Sequence, residues 1–221
     1  AHYATVAKQI WSYAEVGYME EKSSALLRSE LEKAGFTVKA GVAGEPTAFV
    51  AEFGSGKPVI AVLGEFDALP GLSQDTVPER RPLRAGAPEH GCGHHLFGTA
   101  SAAAAIALKQ WMQANKVKGT LRMVGTPAEE GGAGKVYMVR DGVFNDVDAV
   151  IAWHPGDDNA VTGERSMANI SGKFRFHGVS AHAAAAPERG RSALDAVEAM
   201  DVMTNFLREH IPDGSRIHYI I

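Results

Sequence analysis

Apolar residues recur every three to four positions from Thr5 to Tyr13 and from Lys22 to Lys33, the spacing of one buried helical face. Gly35 stands where the second run must stop, so the pattern predicts two opening helices. Two short apolar runs follow, Thr47 to Phe53 and Pro58 to Phe66. The link Gly54-Ser55-Gly56-Lys57 between them predicts a hairpin. From Asp67 to Gly91 periodicity vanishes and Pro, Arg and Gly accumulate, a length of loop that compact domains often keep for function. The alanine-rich segment Leu96 to Ala114 reads as a buried helix, Thr120 to Thr126 as a strand, Lys135 to Asp141 as a helix closed by Gly142, and Ala149 to Trp153 as a buried strand. This β-α-β-α-β order predicts an α/β fold with a mostly parallel sheet flanked by helices.

Past Asn159 the pattern changes. Ala168 to His177 alternates like a half-exposed strand, Ser192 to Glu209 is an amphipathic helix, and Arg216 to Ile221 is strand-like. A first domain over residues 1–166 and the start of a smaller α+β domain over 167–221 are expected. The apolar ending His218-Tyr219-Ile220-Ile221 has no cap or polar tail, and a finished domain seldom exposes such an edge, so the chain is expected to continue.

Charge and composition narrow the function. With 22 basic and 26 acidic side chains the net charge is -4, which argues against a nucleic-acid partner. No apolar run approaches the roughly 20 residues of a membrane span. The single cysteine, Cys92, excludes a disulfide framework and, beside nine histidines, points to a reducing, cytoplasmic setting and to metal or nucleophile chemistry.

Three strands end in reactive residues: Gly64-Glu65-Phe66-Asp67, Pro127-Ala128-Glu129-Glu130 and Trp153-His154-Pro155. In an open α/β sheet the carboxyl ends of the strands form the ligand crevice, and Gly91-Cys92-Gly93-His94-His95 opens a helix at that same edge. Carboxylates, a thiolate and imidazoles at one rim make a borderline-soft metal site, with zinc the first choice and manganese the second. Each residue alone has a plainer reading: Cys92 as core filler, the Glu129-Glu130 pair as a solvated face, His154 as a hydrogen-bonded core histidine. Their joint occurrence favours the site. Neighbouring side chains in extended backbone point apart, so one glutamate of the pair can ligate metal while the other faces water. Gly131-Gly132-Ala133-Gly134-Lys135 lacks the first glycine and the Ser or Thr of a phosphate loop and reads as a helix-leading turn. The basic patch of Arg80, Arg81 and Arg84 reads as solvated loop, Arg189 and Arg191 as a solvated helix start, and His182 as structural when taken alone.

Taken together, Gly64-Glu65-Phe66-Asp67-Ala68-Leu69-Pro70, His90-Gly91-Cys92-Gly93-His94, Pro127-Ala128-Glu129-Glu130-Gly131-Gly132, Trp153-His154-Pro155 and Ser180-Ala181-His182-Ala183 resemble the M20 family of metallopeptidases. Within it they are most similar to the amidohydrolases that cleave p-aminobenzoyl-glutamate. The resemblance implies a phosphorylase/hydrolase-like domain of zinc-exopeptidase type, interrupted by a lid that dimerises. It implies two divalent metal ions, zinc or manganese, with Cys92 bridging them and His94, Glu130 and His154 completing the ligands. Glu129 becomes the general base, Asp67 the support of the site from its strand end, and His182 the lid histidine that reaches a partner's site. Glu65 stands where the wider family often has a histidine ligand and is left outside the ligand set; His95 stands where the branch commonly has Asn or Asp. The implied substrate is a small N-acyl amino acid, with dipeptide cleavage or a non-catalytic metal-holding subunit as alternatives. A homodimer, or a paralogous second subunit, is the implied partner, and a last ligand histidine is expected beyond Ile221.

Overall fold

The computed structural model describes residues 1–161 and 167–221, which divide into two compact units, Ala1–Ala160 and Val161–Ile221. The expected boundary between residues 166 and 167 abuts residues 162–166, which lie outside the described residues.

In the first unit, α1 (His2–Tyr13) and α2 (Glu21–Lys33) occupy the two opening periodic runs. The strands are β1 (Thr37–Ala40), β2 (Phe49–Ser55), β3 (Val59–Gly64), β4 (Gly119–Gly125) and β5 (Ala149–Ile151). Between them lie α3 (His94–Asn115), a single distorted turn α4 (Glu129–Gly132) and α5 (Gly134–Arg140). The sheet order is β1-β2-β4-β3-β5. β3 runs parallel to both β4 and β5, whereas β2 runs antiparallel to β1 and β4, so the sheet is mixed and its parallel half holds the functional strand ends.

The expected hairpin of β2 and β3 does not form. β4 lies between them, pairing Phe49 with Gly125 on one side and Leu63 with Val124 on the other. Its burial explains the choice: every residue of β4 except Arg122 is buried, so the strand belongs at the sheet's centre. Gly54 shows the closeness of the fit, because at φ 87° an added Cβ would stand 2.2 Å from the Gly119 carbonyl oxygen.

Alternation along the strands divides the core between the two faces of the sheet. One cluster joins Ile10, Leu27, Leu31, Val62, Ala105 and Met123, tying α1, α2 and α3 to the sheet. The other joins Val42, Ala61, Leu63, Val124 and Met138 beneath α5. Phe49 and Phe66, both fully buried, stack at 6.0 Å in the first cluster. Each such ring contributes about 1.5–3 kcal/mol by burial. This packing holds the ends of β3 and β4 in place, and the site is built on those ends.

A further expectation fails. β5 was expected to be buried, but it pairs only with β3 and leaves Val150 48% and Ile151 55% exposed as an edge strand. β1, a strand the hydrophobic pattern did not predict, is only four residues long and mostly exposed, and it pairs with β2. In the second unit α6 (Ala193–Leu207) forms as expected, and its N-cap Ser192 accepts a hydrogen bond from the Asp195 N–H at 3.1 Å. The segments Ala168 to His177 and Arg216 to Ile221 form no strand; the unit's β pairing among the described residues is one bridge, Val179 to Arg191. A strand persists by ladder pairing, and among the described residues neither segment has a ladder partner. No helix among the described residues is long and apolar enough to cross a membrane.

Candidate metal centre

His94 is the pivot. It is the first residue of α3, presented by Gly93 at φ 85°, and is 1% exposed. Its Nδ1–H donates to Asp67 Oδ1 at 2.8 Å, while the other oxygen of Asp67 accepts the Glu130 N–H at 2.8 Å. One carboxylate just past β3 therefore fixes both the imidazole and the turn after β4. This arrangement directs the opposite ring nitrogen, Nε2, into the site.

Around Nε2 stand two groups of donors. Cys92 Sγ, His94 and His154 place their ligand atoms within 4.8 Å of one another, and so do Glu65, His94 and Glu129. In the first group His154 Nδ1–H donates to the Pro155 carbonyl at 2.9 Å, which leaves Nε2 facing the Cys92 sulfur at 3.3 Å. In the second, Glu65 Oε2 lies 2.9 Å from His94 Nε2 and Glu129 Oε2 lies 3.9 Å from it. Lys135 reaches back from α5 to the other oxygen of Glu65.

The electrostatics of this rim favour added positive charge. Burial pushes the Cys92 thiol up to about 12, helped by its hydrogen bond to Glu130 and by the charges of Glu130, Glu129 and Glu65. Glu129 is raised by burial and then by Glu65 and Glu130. Burial opposes a charged His94, but Asp67 and Glu65 overcome it and raise the imidazole to about 10. Burial likewise works against an ionised Glu65, and the bonds and charges of His94 and Lys135 prevail and lower it. Among the buried atoms without an aligned hydrogen bond in the described residues are two of this rim, His94 Nε2 and Glu130 Oε1. Buried polar atoms rarely stay unpaired, and a thiolate, imidazole and carboxylate set is the donor chemistry of zinc and its neighbours. The residues fit a divalent metal.

Of the residues expected in the site, Asp67, Cys92, His94, Glu129, Glu130 and His154 come together in the first unit. His182 belongs to the second unit, where its Nδ1 accepts the Ala184 and Ala185 N–H groups at 3.2 and 3.1 Å. His95 stays beside His90, ring centroids 5.1 Å apart, and burial lowers the basicity of both, His90 to about 4. Residue-level reading placed Glu65 at a reactive strand end but the family resemblance left it outside the ligand set, and Lys135 was missed. Glu65 was legible in principle, since it precedes Asp67 by two and so shares its side of an extended segment. Lys135 was hidden in the glycine-rich turn, whose interest lies in its lysine.

A family model described as Peptidase family M20/M25/M40 matches residues 61–211. The chain is 51% identical over 220 residues to a p-aminobenzoyl-glutamate hydrolase subunit of Escherichia coli strain K12, covering 99% of this chain and 46% of that protein. It is 30% identical over 229 residues to a Mus musculus Xaa-Arg dipeptidase, covering 98% of this chain and 49% of the dipeptidase. The chain thus spans about half the length of these relatives. Among solved structures, a Bacillus subtilis dinuclear metal-binding peptidase of the M20 family superposes with a TM-score of 0.61 at 28% identity, over 71% of this chain and 43% of its own. With a family model over most of its length and the five motifs in order, the chain belongs to peptidase family M20.

Proposed function

We propose that the protein is a metal-dependent amidohydrolase of small N-acyl amino acids, with p-aminobenzoyl-glutamate as the favoured substrate. The observation that carries this reading is the buried His94, oriented by Asp67, with Cys92, His154, Glu65 and Glu129 gathered around its Nε2. The name of the E. coli relative suggests the substrate.

Cys92, His94, Glu130 and His154 would hold two divalent ions, zinc or manganese. When bound, such ions supply Lewis-acid charge that acidifies water and stabilises oxyanion character on the scissile carbonyl. Glu129 is the general base: raised by burial and by two neighbouring carboxylates, it takes a proton from water at Oε2 and delivers it to the leaving amine. Asp67 holds His94 in the tautomer that offers Nε2 and fixes the Glu129-Glu130 turn through the Glu130 N–H.

Residues 1–166 are read as the catalytic domain and 167–221 as part of a lid through which two copies dimerise, with His182 acting across that dimer. The E. coli relative's designation as a subunit leaves a paralogous second subunit as the other partner. The single thiol fits the cytoplasm.

The test uses the intact protein loaded with zinc or manganese and follows release of p-aminobenzoate from p-aminobenzoyl-glutamate. Turnover that falls at least about 100-fold in Glu129→Gln, with metal content unchanged, supports the reading. No turnover by wild-type protein carrying two metals per chain refutes it.

A further inference from the structure

Glu65 follows directly on β3, and its place beside His94 is fixed by backbone and side chain alike. At Gly98, one turn into α3, an added Cβ would stand 2.5 Å from the Glu65 carbonyl oxygen, so the helix that presents His94 is pressed against the strand end that presents Glu65. Both side chains are buried, with Glu65 6% and His94 1% exposed. Lys135 Nζ donates to Glu65 Oε1 from α5, which leaves Oε2 as the oxygen facing the site, 2.9 Å from His94 Nε2.

A carboxylate this close to an imidazole is most simply its counterion, in which case an Nε2–H would point along the line to Oε2. The geometry departs from that. His94 Nε2 is buried without an aligned hydrogen bond, so Oε2 stands beside the nitrogen's own direction and not on it. His94 already has a carboxylate partner on its opposite nitrogen, Asp67 at 2.8 Å. Two donors side by side at the edge of one space have the relation of neighbouring ligands: atoms each about 2.1 Å from a shared ion, at roughly a right angle, stand about 3 Å apart. Glu129 Oε2 borders the same space 3.9 Å from His94 Nε2, and ligand atoms of all three residues lie within 4.8 Å of one another.

We propose that Glu65 is itself a metal ligand, binding through Oε2 the same divalent ion as His94 Nε2, with Lys135 occupying Oε1 and so keeping the carboxylate monodentate. The proposal rests on the metal centre of the amidohydrolase reading and enlarges its ligand set by one hard oxygen donor. Lys135 is a positioning residue, acting on the ion only through Glu65.

The experiment measures metal binding, so that it stands apart from catalysis. Intact protein is titrated with manganese and, separately, with zinc against a competing chelator, and bound metal is counted per chain. Glu65→Gln is expected to weaken one ion by more than the about 10- to 100-fold that loss of an outer partner costs. Glu65→His separates ligand from counterion, because a neutral imidazole can bind an ion but cannot neutralise a protonated His94; affinity within about tenfold of wild type is expected from it. Unchanged affinity in Glu65→Gln, or an equal loss in Glu65→Gln and Glu65→His, overturns the proposal. Should Glu65→Gln fail to fold by circular dichroism, Glu65→His decides alone: retained affinity supports the ligand role and a loss beyond about 100-fold overturns it. If the variants behave as expected and wild-type protein releases no p-aminobenzoate, Glu65 stands as a ligand and the amidohydrolase reading falls.

Discussion

Glu65 and Glu45 are buried to the same degree, 6% and 5% exposed, and both adjoin the segment that follows β4, yet they have opposite characters. Glu65 meets His94 and Lys135 and is held ionised, its carboxyl lowered against the pull of burial. Glu45 has neither oxygen hydrogen-bonded, and burial, reinforced by the charge of nearby Glu20, pushes it up to about 7. Depth alone does not decide whether an acid inside this fold is charged; the presence of cationic partners does. The partnered acid faces the metal centre. The orphan lies where Glu20 accepts the Ala128 N–H at 2.8 Å and the Thr47 hydroxyl at 2.9 Å, bracing the same turn from a separate cluster.

Asp67 is what makes the Glu65 region different, so its alteration should break the contrast most. Asp67→Asn removes the charge that steadies His94 and leaves one acceptor oxygen where the His94 ring N–H and the Glu130 N–H need two. Metal affinity is expected to fall about 10- to 100-fold by competition titration, with the fold retained in circular dichroism. A smaller effect is expected from Glu65→Gln, which strips Lys135 and His94 of a shared partner. Because Lys135 is partly solvated, the cost in ion-free protein should be about 1–3 kcal/mol by urea unfolding at pH 7.

Glu45→Gln should act in the reverse direction and least. Glu45 is neutral in both folded and unfolded protein below its ordinary value near 4.5, so it costs nothing there. Between about 4.5 and 7 the unfolded chain releases a proton that the folded chain keeps, and wild-type stability declines as pH rises. Above about 7 the penalty is constant. The Gln variant escapes it and should be more stable by about 1–2 kcal/mol at pH 8, with the advantage vanishing near pH 4 in thermal melts. An equal advantage at both ends of that range would mean Glu45 is not titrating across it.

The sequence made the chemistry of the rim legible, because strand ends and a glycine-flanked Cys-Gly-His mark one edge of a sheet. The buried α3 and β4 were legible through their continuous apolar character. The placement of β4 was not, since a link such as Gly54-Ser55-Gly56-Lys57 reads as a tight turn whether or not another strand later separates its arms. β1 carried too little apolar surface to show itself, and β5 looked buried because its composition reflects pairing with β3 and not cover. Lys135 and Glu65 are 70 residues apart, and only the fold reveals that the lysine of a glycine-rich turn is the counterion of an acid beside His94.

The insertion of β4 between β2 and β3 also sets an order of events for the growing chain. Strands that leave the ribosome consecutively cannot zip onto each other and must wait, edges open, until residues 65–118 and then β4 have been made. Non-local closure of this kind slows folding and prolongs the exposure of unpaired edges, so the sheet depends on the early helices to shield it. By the time β4 arrives to lock the register, Asp67, Cys92 and His94 have already been synthesised, whereas Glu129, Glu130, β5 and His154 still follow, so the ligand cluster closes only after the centre of the sheet is in place.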